Sequence, residues 1–140
     1  MDIRGAQPAD ATEIAALLSI LGEPVTPREA TLRLEGVAGG PAAALVATNW
    51  AGTVIGFVAL SWGPSPLFGR PVARLTALVV EEAERGAGIG RLLVKAASQA
   101  ARQAGCDAME ATAADPRFLE AIGFARSGEA MTRPLRKRQA

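Results

Sequence analysis

Apolar positions along this chain repeat with two different periods. Ile14, Leu17, Leu18 and Leu21 recur at helical spacing behind Asp10 and Glu13, a pair placed as a capping box, and Gly22 ends that helix. Thr26-Pro27-Arg28-Glu29 repeats the capping signature with proline at the first helical position. It predicts a second helix that fades by Gly36, before the break at Gly39-Gly40-Pro41. Residues 1–4 read as a short first strand. Residues 43–48 and 54–62 are apolar, partly β-branched runs on either side of Asn49-Trp50-Ala51-Gly52, which predicts an antiparallel hairpin.

The stretch 63–71 is dense in glycine and proline and predicts an irregular surface loop, a candidate for facing substrate. A strand at 74–80 leads into Arg85-Gly86-Ala87-Gly88-Ile89-Gly90 and then a long helix at 88–104 closed by Gly105. Ile89, Leu92, Leu93, Ala96, Ala100 and Ala104 are expected on its buried face, opposite Arg91, Lys95, Ser98 and Arg102. Residues 107–112 read as a further strand. Asp115-Pro116 caps a short helix to Ile122, and Gly123-Phe124 leads out of it into a final hairpin reaching about Pro134. This order is mixed rather than regularly alternating. It predicts an α+β or mixed α/β fold, with antiparallel strands first and one parallel βαβ unit late in the chain.

At 140 residues the chain has the usual size of one domain, 1–140, with a frayed basic tail from about 135. Fifteen basic and fourteen acidic residues leave a net charge of +1, which gives no overall reason to expect nucleic acid or an anionic membrane as partner. The lone Cys106 can form no internal disulfide, and without histidine the usual zinc ligand sets cannot be assembled, so no metal is expected. A reducing cytoplasm fits, since neither a secretory segment nor an apolar run of membrane-spanning length stands out. Cys106 itself reads as a small buried hydrophobe. The absence of both histidine and tyrosine removes Ser-His-Asp and Cys-His mechanisms. Carboxylates, backbone amides, water or a bound co-substrate must carry any chemistry.

The glycine loop sits between a predicted strand and a predicted helix. A helix N-terminus leaves backbone N–H groups unpartnered and carries partial positive charge, so it suits phosphate oxygens. Glycines that merely ease a tight turn give the same spacing, and spacing alone leaves both readings open. A dinucleotide fold fails because the pattern is Gly-x-Gly-x-Gly, and a P-loop fails because Arg91-Leu92 follows Gly90. Glu81, Glu82 and Glu84 oppose an anion, so binding would rest on aimed amides with Arg85 and Arg91, the glutamates turned to solvent.

The run from Leu78 to Leu93 resembles the acetyl-CoA motif of the GCN5-related N-acetyltransferases, the GNAT family, with Arg85, Gly88 and Gly90 filling its Arg/Gln-x-x-Gly-x-Gly/Ala pattern. Phe118-Leu119-Glu120-Ala121-Ile122-Gly123-Phe124 resembles the family's Phe-Tyr-x-x-x-Gly-Phe segment, and the element order agrees over nearly the whole chain. The resemblance implies a mostly antiparallel mixed sheet with a central βαβ acetyl-CoA-binding unit and helices on both faces. It implies that Leu78, Val79 and Val80 contact pantetheine, that the amides of Arg85, Gly86, Ala87, Gly88, Ile89, Gly90 and Arg91 hold the pyrophosphate, and that an amide near Val80 stabilises an oxyanion.

It further implies direct transfer of acetyl to a primary amine, most simply of a small molecule, and family habit allows a homodimer. Glu110, in the strand at 107–112, is the candidate base or amine-binding carboxylate, against a structural ion pair or edge residue. One departure bears on catalysis: Leu119 stands where many relatives carry a tyrosine that protonates the leaving thiolate. A catalytically weak or inactive acyl-CoA-binding module is therefore the alternative.

Overall fold

The computed structural model describes residues 1–22, 24–112, 114–128 and 131–136. Five strands lie side by side in chain order: β1 (Asp2–Gly5), β2 (Ala42–Thr48), β3 (Val54–Gly63), β4 (Val72–Val80) and β5 (Met109–Ala111). The first four pair antiparallel, and β5 joins β4 in parallel. Helices α1 (Ala11–Ile20) and α2 (Pro27–Ala38) connect β1 to β2, α3 (Ile89–Gln103) crosses from β4 to β5, and α4 (Pro116–Ala121) follows β5. The result is the expected α+β arrangement, with the βαβ unit β4–α3–β5 along one edge.

Alternation along the strands divides the core between the two faces of the sheet. On one face Ile14 and Leu17 of α1 meet Val46, Val54, Phe57 and Val79. On the other, Ile89, Leu93, Val94, Ala97 and Ala101 of α3 cover Ile55, Val58, Leu60, Ala73, Leu75 and Leu78. Gly56 shows how closely α3 approaches: a Cβ there would lie 2.9 Å from Leu93 Cδ1 and 3.3 Å from Ile89 Cγ2. Opposite the β3 pairs Ala59↔Ala77 and Leu60↔Leu75, Thr76 is an extra residue, a β-bulge in β4. Before it, odd-numbered Ala73 and Leu75 face α3; after it, even-numbered Leu78 and Val80 do.

Three local expectations are corrected. The Asp10–Glu13 pair is no capping box: Asp10 accepts from the Gln7 amide at 2.8 Å and pairs with Arg4, while Glu13 Oε2 accepts from the Val54 amide at 2.7 Å and ties α1 to the start of β3. The buried row of α3 is Ile89, Leu93, Ala97 and Ala101 with Val94, and Leu92 is exposed. Alanine is abundant on several sides of this helix, so the apolar pattern left its rotation loosely defined. Finally, no strand follows β5 among the described residues; residues 129–130, inside the expected hairpin, lie outside them, as do Lys137 and Arg138 of the basic tail.

The Thr26 and Asp115 N-caps hold, although the box at Thr26 does not close, because the Glu29 carboxylate accepts from the Thr26 hydroxyl at 3.0 Å rather than from its amide. Thr26 Oγ1 accepts from the Glu29 amide at 3.1 Å and Asp115 Oδ1 from the Arg117 amide at 2.8 Å. Cys106 is buried, and burial, with the charge of Asp107 second, pushes its thiol up, as suits a packing residue. No helix among the described residues is long and apolar enough to cross a membrane.

Candidate active site

The site begins where β5 stops. Among the described residues β5 pairs with β4 only at Ala73, Arg74 and Leu75, so the continuation of β4 from Ala77 to Val80 has β3 on one side and an open edge on the other. The Glu81 amide donates to the Ile55 carbonyl at 2.8 Å. In an antiparallel ladder residues alternate in the side to which their backbone groups point. Val79 therefore bonds to β3, while the N–H and C=O of Leu78 and Val80 turn to the open edge. The side chains of those two residues pack toward α3, which fixes the orientation of their backbone.

Beyond β4 a 3-10 turn at Glu82–Glu84 leads to the glycine loop. Gly86 and Gly88 have φ of +88° and +81°, the left-handed region where other residues are strained, and a Cβ at either position would meet nothing within 4 Å. Gly88 is the N-cap of α3, with no side chain bonded to the helix end. The first intrahelical bond runs from the Leu92 amide to the Gly88 carbonyl, at 3.1 Å. The amides of Ile89, Gly90 and Arg91 thus precede any i−4 partner and remain available for an anion. Gly90 serves packing as well: a Cβ there would come within 3.1 Å of Phe118 Cζ.

Open edge and helix end share a cleft of about 680 Å³. It is lined by Leu78, Val79, Val80, Arg85, Gly86, Gly88, Ile89, Gly90 and Arg91. All the residues predicted to hold the coenzyme, except Ala87, therefore come together. The lining also includes Leu21, Glu84, Ala114, Asp115 and Phe118. Phe118 belonged to the resembling C-terminal segment. Leu21 follows α1 and reaches the cleft only through the tertiary packing of that helix, which no local pattern reveals. Glu81 and Glu82 are exposed as expected, but Glu84 is half-buried at the cleft wall. Two carboxylate residues, Glu84 and Asp115, thus line the cleft along with two arginines, Arg85 and Arg91, and charge alone does not draw an anion in. The Arg85 Nε donates to the Val80 carbonyl at 3.3 Å.

Glu110 lies elsewhere. It is exposed on β5, outside the cleft lining, and its Oε2 is 3.4 Å from Arg74 Nη2. Leu119 is buried and likewise absent from the lining. Neither tryptophan lines the cleft: Trp50 stands in solvent at the β2–β3 turn, and Trp62 packs partly against the α3-side core. The glycine- and proline-rich loop after β3 joins β4 at the end of the sheet opposite the glycine loop.

An open-edged strand followed by a glycine loop and a helix N-terminus fits an elongated molecule with an amide-bearing arm and phosphates. Solved structures share this architecture. An acetyltransferase from Agrobacterium tumefaciens, described as putative, is 26% identical, with 96% of this chain and 99% of that one covered and a TM-score of 0.84. A ribosomal-protein-alanine N-acetyltransferase from Brucella melitensis has the same fold at 22% identity, 96% and 100% coverage and a TM-score of 0.76. A glucosamine-6-phosphate N-acetyltransferase from Arabidopsis thaliana does so at 17% identity, 96% and 98% coverage and a TM-score of 0.79. No curated protein sequence gives a significant match. The model of the acetyltransferase (GNAT) family matches residues 13–128. With most of its length, cleft included, inside that match, the chain belongs to the GNAT family of acetyltransferases.

Proposed function

We propose that this chain transfers the acetyl group of acetyl-CoA to a primary amine of a small molecule by direct attack on the thioester. The observation that carries the reading is the continuity of the cleft, from the outward backbone of Leu78 and Val80 to the free amides of Ile89, Gly90 and Arg91. The first part can pair with the amide-bearing pantetheine arm like an added strand; the second can take the pyrophosphate. In the transfer the amine nitrogen bonds to the carbonyl carbon, the carbon–sulfur bond breaks, and the proton lost by the amine balances the departing thiolate. The outward amides of Leu78 and Val80 are the donors at hand for the developing oxyanion. Glu110, outside the cleft lining, is the carboxylate proposed to bind the ammonium and receive its proton. A cytoplasmic setting accords with the free buried thiol.

A second reading, a module that binds acyl-CoA without turning it over, draws on one observation: Leu119 is apolar, buried and outside the cleft lining, and the chain has no tyrosine. Loss of a general acid typically costs about 10²- to 10⁴-fold in rate. Incubation with acetyl-CoA and a panel of amines, followed by release of free thiol, tests the two. Amine-dependent release supports transfer; tight coenzyme binding without release on any amine rejects it in favour of the module.

A further inference from the structure

On the face of the sheet that carries α1, no helix or strand among the described residues covers the corner formed by β4 and β5, where Arg74 and Glu110 are exposed. Arg74 lies between Ala73 and Leu75, and Glu110 between Met109 and Ala111, and these four neighbours pack toward α3. Alternation therefore sends both charged side chains to the other face, where 66% of the Arg74 side chain and 56% of the Glu110 side chain remain exposed. The two residues are partners in the parallel ladder, one rung before it ends at Leu75↔Ala111. One residue further along, the strands part and the open edge of the cleft begins. Guanidinium and carboxylate thus stand 3.4 Å apart on the last paired stretch before that edge, outside the cleft lining. The nearest polar groups on the two strands are the exposed Thr76 and Thr112, and the Arg70–Asp107 pair, at 3.3 Å, lies further back along both chains.

We infer that Arg74 and Glu110 act together as a specificity pair for an acceptor that carries a carboxylate next to its amine, a free α-amino acid in its zwitterionic form. Glu110 takes the ammonium and Arg74 the carboxylate. The inference rests on the acetyl-transfer reading above and names its substrate class. An amine without an acidic group that takes Glu110 competes with Arg74 for the carboxylate and sets its own positive charge beside a guanidinium to which it offers no partner. A zwitterion restores both contacts, and the carboxylate gains a charge-assisted, fork-shaped donor. Spacing narrows the class further. The two charges of an α-amino acid sit on neighbouring carbons, which suits receiving groups as close as these; a longer ω-amino acid overreaches. A peptide N-terminus lacks the adjacent carboxylate. The ion pair itself is exposed and contributes little to stability, so exchanging it for substrate contacts costs the fold little.

The test compares a free α-amino acid, its carboxamide, the matching diamine and a dipeptide as acceptors for the wild type, Arg74→Gln and Glu110→Gln. Coenzyme affinity is followed by calorimetry. Saturation-transfer NMR measures binding of the amino acid and its carboxamide to the complex of protein and coenzyme A. The wild type is expected to favour the acid over its carboxamide by about tenfold in kcat/KM, as for loss of one charge-assisted contact. Arg74→Gln should bring the ratio near unity by raising KM for the acid, with coenzyme affinity unchanged. Equal rates on acid and carboxamide, or a ratio unaltered in Arg74→Gln, overturn the inference. If no amine is acetylated, the transfer reading fails, and the NMR comparison still decides the pair. Selective binding of the acid that is lost in Arg74→Gln supports the pair, and its absence rejects it.

Discussion

The Nε of Arg85 donates to the main-chain carbonyl of Val80 at 3.3 Å, and that carbonyl belongs to the open edge of β4. The guanidinium therefore covers a backbone acceptor that the pantetheine arm would use, while standing beside the amides assigned to phosphate. Coenzyme binding should exchange the first role for the second. Arg85→Gln is expected to weaken coenzyme A by about tenfold, the scale of one charge-assisted contact. Acetyl-pantetheine, which has no nucleotide, should bind the variant as well as the wild type or slightly better. Calorimetry with both ligands checks this, and equal losses for the two would reject the exchange.

Glu84 has the opposite sign at the same wall. Replacing it with glutamine removes a negative charge from a cleft proposed to hold a pyrophosphate. Coenzyme affinity should rise by about two- to fivefold at low salt, and the gain should shrink as ionic strength increases. Titrations of wild type and Glu84→Gln at two salt concentrations measure it. A weaker complex in the variant would place Glu84 in a supporting role instead.

Two glycines should fail for different reasons. Gly56→Ala forces a methyl group to 2.9 Å from a fully buried Leu93, so about 1–3 kcal/mol of stability is expected to be lost by overpacking. Gly88→Ala meets no neighbour but must hold φ of +81°, at a cost of about 1–2 kcal/mol, and it perturbs the N-cap of α3. Denaturant melts with and without coenzyme separate them. Gly56→Ala should lose stability while folded protein keeps its coenzyme affinity, and Gly88→Ala should lose both. Gly88→Glu, which adds charge and bulk to the loop, should abolish coenzyme binding.

Acid should unfold the protein partly through one carboxyl group. Hydrogen bonds from Arg4, opposed by burial, hold the Asp10 carboxyl below its ordinary range. A depressed folded-state value means that the unfolded chain takes up the proton more readily. The contribution to stability is complete above the unfolded value of about 3.9 and is lost as pH falls through the lower folded value. Asp10→Asn should cost about 1–3 kcal/mol near neutrality, with the difference from wild type narrowing in acid. Denaturant midpoints across that pH range test the convergence; a constant offset would exclude the linkage.

The sheet and its helices were legible because each strand run and cap announces itself locally: the hairpin around Asn49-Trp50-Ala51-Gly52, the Thr26 and Asp115 caps, the glycine loop before α3. What was not legible depends on packing at a distance. Glu13 looked like half of a capping box, but the β3 amide at Val54 lies 41 residues away and wins its carboxylate. The face of α3 could not be fixed among so many alanines. The coenzyme loop was readable because backbone conformation is local and glycine signals it; Leu21 and Glu84 reach the same cleft through tertiary geometry, with no motif of their own. Glu110 stood out as a glutamate within a strand, yet its partner Arg74 became visible only with the β4–β5 register.

The bulge at Thr76 has an evolutionary corollary. Because it shifts the alternation of β4, Leu78 and Val80 turn their side chains to α3 and present their backbone to the open edge at once. Core packing and co-substrate recognition are thereby inherited together, so a substitution tolerated by one constraint must also pass the other. Drift at these two positions should be slower than at other α3-facing residues such as Val58, whose backbone lies between paired strands.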